Sequence, residues 1–185
     1  MPSNNDKART REKHVRAFAR DNIRAGLLQP QELLGELRRA VRDELPWLPM
    51  DETVTFWLRE ETEAWAHEAA DWPLVTDYDR LQSAFASLEA GGVVVLQGCD
   101  DHWAARDVLK SGTPCRGVAW FMPQDVWHAI DEGMLEVNVW HTSGANAAPG
   151  DALLQFVLQV FADHGLEAHF DEGRVEVSAF WQRRP

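Results

Sequence analysis

The sequence is poor in cysteine and has no long hydrophobic run. Cys99 and Cys115 are its two cysteines, which are too few for a disulfide framework and lack the C-x-x-C spacing of a metal ribbon. No run of about 18 apolar residues occurs, and the charged N-terminal stretch lacks the apolar centre of a secretory signal. These absences predict a cytoplasmic protein that is neither exported nor embedded in a membrane.

Motifs for metals, cofactors and activated nucleophiles are also missing. The seven histidines form no H-x-x-x-H or H-E-x-x-H pair, and no D-x-D-x-D-G loop occurs. Glycine-rich phosphate loops and G-x-S-x-G elbows are absent as well. We therefore expect no metal and no cofactor, and the sequence favours a binding protein over an enzyme.

Charge is distributed unevenly along the chain. Residues 1–50 carry ten Lys and Arg against seven Asp and Glu, whereas residues 51–185 carry eight against twenty-three. Because an acidic body repels phosphate backbones, nucleic acid would have to meet the N-terminal segment alone. Helices of mixed Arg and Glu are usually just solvated, so nucleic acid is disfavoured. A basic protein is the partner that this charge favours.

Apolar spacing predicts three helices before any strand. The first ends near Gly26, a plausible stop. The second begins near Pro30, a good residue for a first helical turn. The third has Asp51 as its N-cap and ends before Pro73. Residues 1–73 are therefore expected to form an N-terminal helical segment.

The remaining residues, 74–185, alternate helices with strands. A helix capped by Thr76 or Asp77 leads into Val93–Leu96, whose β-branched run is typical of a strand buried on both faces. Further strands are expected at residues 117–122 and 135–140 and in a terminal hairpin that turns at residues 171–173.

These elements predict an α+β fold with a mixed sheet of about five strands and packed helices. The alternating strands give the sheet one apolar face and one mixed face. Strand order cannot be read from the sequence, and we expect both segments to form one compact unit. The mixed face is expected to carry Glu136, Asn138, Trp140, Glu167, His169, Glu176, Ser178 and Phe180.

Reactive side chains are densest at the segment that follows the first strand, where α/β proteins usually bind ligands. Cys99 with His102 as its base would form a nucleophile, yet the flanking Asp100 and Asp101 would raise the thiol pKa. A buried cysteine followed by a helix cap is the simpler interpretation. Asp100, Asp101 and His102 remain candidates for ligand binding.

A second group of candidates lies on the short helix that follows the aromatic strand. Gln124, His128 and Asp131 share one face at i, i+4 and i+7. The flanking Asp125 and Asp131 favour an ion-paired or solvated His128 over a general base. Gln124, Asp125 and His128 are therefore candidates for ligand recognition.

Four motifs between residues 71 and 184 resemble one of the bacterial families described only as domains of unknown function. They are a Thr-Asp-x-Asp-Arg-Leu helix, a glycine-led strand, an aromatic strand followed by Gln-Asp, and a Gly-Leu hairpin that ends in Trp-x-x-Arg. The sequence departs from this pattern at residues 121–123, Phe-Met-Pro, where a Tyr or His is expected before Gln-Asp. The matching positions are Thr76, Asp77, Asp79, Arg80, Leu81, Gln124, Asp125, Gly165, Leu166, Trp181 and Arg184.

The resemblance implies a bacterial cytosolic module with added N-terminal helices, and it implies no reaction. Our leading hypothesis is a non-catalytic binding module for a protein partner, such as a basic enzyme or toxin that it neutralises. The alternative is a small-molecule enzyme or ligand sensor, with a pocket bounded by residues 99–102 and 124–128. The ligand, the partner and the oligomeric state cannot be read from the sequence.

Overall fold

The computed structural model describes residues 4–185, with side chains from residue 6 onward. Within these residues the chain has seven helices and one five-stranded mixed sheet. The predicted α+β class is therefore confirmed. No helix in this range has both the length and the apolar character needed to cross a bilayer.

The chain divides into two compact units. The first unit extends to Trp72 and also includes Arg184 and Pro185, and the second unit comprises residues 73–183.

Three helices form the first unit: α1 (Asn4–Ala25), α2 (Pro30–Glu44) and α3 (Met50–Ala69). Each presents an apolar face to a shared core, because apolar residues recur at helical spacing in all three sequences. The buried members of this core are Val15, Ala19, Leu37, Val41, Leu45, Val54 and Trp57.

The expected N-cap of the third helix is wrong by two positions. Pro49 occupies the cap position of α3 and offers no side-chain hydrogen bond. Asp51 lies in the first turn, where its charge still favours the positive end of the helix dipole. Its carboxylate is 2.8 Å from the guanidinium of Arg38, so it pairs with another helix instead of capping its own.

The second unit begins with α4, for which Thr76 is the cap and not Asp77. The Asp79 N–H donates to Thr76 Oγ1 at 3.3 Å, and the Thr76 N–H donates to Asp79 Oδ2 at 2.8 Å, which is a reciprocal capping box. The elements in order are α4 (Asp77–Ala90), β1 (Val93–Gln97), α5 (His102–Lys110), β2 (Gly117–Phe121), α6 (Pro123–Asp131), β3 (Met134–His141), α7 (Ala152–Asp163), β4 (Glu167–Asp171) and β5 (Arg174–Ser178).

The sheet has the order β1-β2-β3-β5-β4. β1 and β2 are parallel, and every other neighbouring pair is antiparallel. The C-terminal ends of β1 and β2 therefore lie at the same end of the sheet, where α5 and α6 begin. An open sheet with parallel strands commonly binds ligands at this position.

The most buried strand is not the one that the sequence indicates. All five residues of β2 are buried, whereas β1 lies at the edge of the sheet and three of its residues are only half-buried. A run of β-branched residues indicates apolar surroundings, but it does not indicate whether the strand is central or at the edge of the sheet. The expectation that β1 is buried on both faces is therefore wrong.

Helices cover β2 on both sides. On one face the rings of Phe121 and Phe85 are 5.5 Å apart, and Phe85 is 6.2 Å from Phe161, which ties the sheet to α4 and α7. On the other face, Ala105 of α5 packs against the aromatic side chains of β2 and β3. The β3-β5-β4 part of this second face is polar, as the alternation of those strands predicts, and its exposed members are Glu167, His169, Asp171, Arg174 and Ser178.

Gly117 tests this packing, and Gly35 of the first unit is a control whose surroundings are open. A Cβ on Gly117 would lie 2.5 Å from the Trp140 carbonyl oxygen and 2.6 Å from Leu153, so Gly117→Ala should destabilise the protein by about 1–3 kcal/mol. Gly35 lies within α2 with open space around it, so Gly35→Ala should stabilise by about 0.5–1 kcal/mol. Urea unfolding of both variants measures the two signs, and a Gly117→Ala protein as stable as wild type would contradict this packing.

Candidate functional site

The loop after β1 meets the start of α6 at the ends of the two parallel strands. The Cys99 N–H donates to the Phe121 carbonyl at 3.1 Å, and its thiol lies 3.5 Å from the same oxygen. Cys99 and Met122 both pack against the apolar cluster that includes Trp120. The two segments that carry the sequence candidates therefore come together.

The candidates on the first segment have local structural roles. Asp101 caps α5, because its Oδ1 accepts a hydrogen bond from the Trp103 N–H at 2.8 Å. The His102 ring is half-buried, and its centroid is 4.8 Å from that of Trp103 and 6.4 Å from that of Trp140. Asp100 is exposed. This segment thus supplies a helix cap and an aromatic contact.

On the second segment, Asp125 is buried whereas Gln124 and His128 are exposed. Asp125 Oδ2 accepts a hydrogen bond from the N–H of Met122, the N-cap residue of α6, at 2.7 Å, which is the Asp125 half of a capping box. Burial raises the pKa of Asp125, and the Met122 hydrogen bond and the charges of Arg174 and His128 oppose that rise. Asp125 is therefore the candidate whose environment differs most from solvent.

The thiol of Cys99 is held in its neutral form. Burial raises its pKa most, and the carboxylates of Asp101, Asp100 and Asp125 raise it further, against the opposing effect of a backbone hydrogen bond. Because the thiolate is the reactive form, this environment suppresses nucleophilic attack. Within residues 6–185, no group of three or more His, Cys, Asp or Glu side chains is placed to hold a metal ion.

The indole N–H of Trp120 is a polar group of this site that the sequence did not indicate. The side chain of Trp120 is 5% exposed, and its indole N–H has no hydrogen-bond acceptor in the described part of the chain. The neighbouring Asn138 amide lies 3.5 Å from the Trp120 carbonyl oxygen. Nothing in the sequence distinguishes this tryptophan from a core residue, because the missing acceptor depends on the surroundings that folding creates.

A second region was also missed, between α5 and the turn after β3. Arg106, Lys110, Thr142 and Ser143 line a cleft there of about 400 Å³. The available signal was the spacing of Trp103, Arg106 and Lys110, which places an aromatic ring and two cations on one side of a helix. The contribution of the turn could not be predicted, since it requires the pairing of β2 with β3.

The fold and these sites define an α+β protein whose mixed sheet has one helix-covered face and one partly open polar face. The chain belongs to the family described as Domain of unknown function (DUF6891), whose model matches residues 8–185. This confirms the resemblance to a family of unknown function. The match covers α1 from residue 8 onward and all of α2 and α3, so these helices belong to the family domain. No curated protein and no solved structure matches the chain.

The reactivity of Cys99 tests whether a nucleophile is present. In a Cys115→Ser protein, Cys99 should react with iodoacetamide more slowly than a free thiol at neutral pH, because its pKa is raised above the ordinary value of 9.0. The rate should increase as the pH rises past that value and when the protein is unfolded in urea. Mass spectrometry measures the rate, and alkylation faster than that of the free thiol would restore the nucleophile hypothesis.

A pH series tests the burial of Asp125. Its folded pKa lies above the ordinary 3.8, so the folded state binds the proton more tightly than the unfolded state does. Stability from this group therefore falls as the pH rises through the window between the two values. Asp125→Asn keeps an acceptor for the Met122 N–H but does not titrate.

The stability of Asp125→Asn relative to wild type should therefore increase from about pH 3 to about pH 7. Urea unfolding at each pH measures this difference. The control Asp125→Ala removes the cap and should be less stable by about 1 kcal/mol at low pH, where the wild-type carboxyl is neutral. A stability of Asp125→Asn relative to wild type that decreases with rising pH would contradict the burial.

Proposed function

We propose that this chain is a non-catalytic binding module that holds a basic protein partner on the polar face of its sheet. The observation that carries the proposal is a pair of like charges directly opposite each other. Glu136 of β3 and Glu176 of β5 are cross-strand partners. Such a pair costs stability in an isolated sheet, and a cationic partner would offset that cost.

The surroundings of this pair are also acidic. Glu167 and Asp171 are exposed on β4 and share the face, since they alternate with apolar residues along the strand. Few side chains compensate these carboxylates: Arg174 pairs with Glu136, and the His169 ring lies 3.3 Å from Glu176. We call Glu136, Glu167, Asp171 and Glu176 the acidic face.

The net negative charge of the whole second unit also favours a cationic partner. Residues 73–183 carry six Lys and Arg against sixteen Asp and Glu, a formal net charge of −10 with His neutral. A field of this sign attracts cationic proteins and speeds their encounter with the acidic face. A basic enzyme or toxin, neutralised when this face covers it, is the form of partner that we favour.

A ligand-binding site at the strand ends is the second candidate. The indole N–H of Trp120 favours it, because this buried donor has no acceptor among the described residues, which is costly, and a ligand oxygen could satisfy it. The raised pKa of Cys99 argues against a thiol enzyme there. Rapid alkylation of Cys99 would shift the balance toward this candidate.

Half of the charge of the acidic face can be removed without changing the shape of the sheet. A Glu136→Gln and Glu176→Gln double variant keeps both side chains nearly isosteric, and Glu89→Gln with Glu132→Gln is a matched control because both residues are exposed outside the sheet. We expect the first variant to bind the partner at least about tenfold more weakly, as loss of charge-assisted contacts implies. The control should bind like wild type.

The partner is first captured from an extract of the producing cells and identified by mass spectrometry. It is then purified, and its affinity for each variant is measured at several salt concentrations. Support requires a basic protein whose binding weakens with salt and is lost selectively with the acidic face. If every captured protein binds the face variant and the control equally well, the proposal is wrong.

A further inference from the structure

The cleft on α5 offers cations in a unit that is otherwise acidic. It lies between α5 and the turn after β3 and has a volume of about 400 Å³. Two hydrogen bonds of 2.8 Å shape this turn, from the His141 N–H to the Ala145 carbonyl and from the Gly144 N–H to the His141 carbonyl. The lining residues are Arg106, Leu109, Lys110, Thr142, Ser143 and Gly144.

Of the two cations of the cleft, Lys110 contacts one exposed carboxylate, that of Asp107, at 3.7 Å, and Arg106 is more accessible to a ligand. Within the described residues, the Arg106 guanidinium makes no ion pair and lies 5.0 Å from the ring centroid of the half-exposed Trp103. Lys110 approaches the same ring at 5.6 Å. By contrast, Arg80 and Arg174 of the same unit pair with neighbouring carboxylates. The Trp103 ring thus gathers both cations on one side of α5.

The turn contributes neutral hydrogen-bond donors. Thr142 and Ser143 bring hydroxyl groups to the cleft. Gly144 has a φ of 83°, and a Cβ placed there would meet nothing within 4 Å, so the mouth of the cleft is open. Cations and donors therefore line a space that includes no carboxylate among its lining residues.

We propose that this cleft binds the phosphate group of a small phosphorylated molecule. Arg106 can engage two phosphate oxygens with its planar fork, and Lys110 adds a point charge. The hydroxyl donors of the turn, together with the two cations, suit a group with three acceptor oxygens better than a carboxylate with two. The volume leaves room for an organic part, against which Leu109 supplies an apolar wall.

One carboxylate competes with such a ligand. Asp107 lies 3.7 Å from the Lys110 ammonium, and both side chains are more than half exposed. An exposed pair of this kind is weak, so a phosphate can displace it. Removal of this carboxylate should therefore tighten binding, which a merely structural role of Lys110 would not produce.

The probe is phenyl phosphate, titrated by calorimetry against the full chain, with inorganic phosphate as the smaller ligand. We expect Arg106→Gln and Lys110→Gln each to weaken binding of phenyl phosphate by at least about tenfold. Asp107→Asn should strengthen it, and Arg80→Gln should leave it unchanged. Phenyl phosphate should bind more tightly than inorganic phosphate, since only the former contacts Leu109. Circular dichroism checks that each variant is folded.

Two further arms separate the sources of phosphate. One uses vesicles that contain phosphatidic acid, and the other uses a phosphoserine peptide. Binding to either of these without binding to phenyl phosphate overturns the assignment to a small molecule. Equal affinity of wild type and Arg106→Gln for phenyl phosphate overturns the site. The inference uses no residue of the acidic face, so it stands apart from the proposed protein partner.

Discussion

The second unit depends on the burial of β2 on both of its faces. All five residues of this strand are buried, and it pairs with β1 in parallel and with β3 in antiparallel fashion. A strand in this position needs helices on both sides, which α5 provides on one face and α4 with α7 on the other. The close approach of Trp140 and Leu153 to Gly117 is a direct result, because no side chain fits where these layers meet.

The change from parallel to antiparallel pairing at β2 also determines at which end of the sheet each candidate site lies. Because β1 and β2 run in the same direction, the N-terminal caps of α5 and α6 lie at the same end of the sheet. Because β3 runs in the opposite direction, its C-terminal end pairs with the start of β2, and His141 is opposite Gly117. The turn that lines the α5 cleft therefore lies at the end of the sheet opposite to Asp125 and Cys99.

Local patterns in the sequence predicted the elements and the class of the fold. The alternation in β3 and β5 correctly separated an apolar face from a polar one, and apolar spacing gave the helices. The order of the strands and the central position of β2 were not predictable, since both depend on pairings between distant segments. For the same reason the β-branched run of β1 wrongly predicts the buried strand, although its Val and Leu residues lie in a strand at the edge of the sheet and are mostly half-buried.

The candidate sites also divide into those that local sequence signals predict and those that depend on the tertiary structure. The segments at Cys99 and Asp125 were predicted because both follow strands, and parallel pairing brings such segments together. The side chains there mostly cap helices, which the same sequence signals also indicate, so spacing alone did not separate a cap from a ligand group. Trp120 and the α5 cleft required the tertiary structure, because one depends on a missing acceptor and the other on a contact between α5 and a distant turn.

An acidic face and a cationic cleft can coexist in one unit because water and salt limit the range of each charge. At physiological ionic strength the Debye length is about 8 Å, so exposed carboxylates beyond the first neighbours contribute little to the potential in the cleft. The local set of Arg106, Lys110 and Asp107 then determines the sign of the potential in the cleft. The net charge of −10 acts mainly at the approach of a large partner, whose many cations meet the summed field before any contact forms. The proposed phosphorylated ligand and the proposed basic partner would therefore respond to different parts of the same charge distribution.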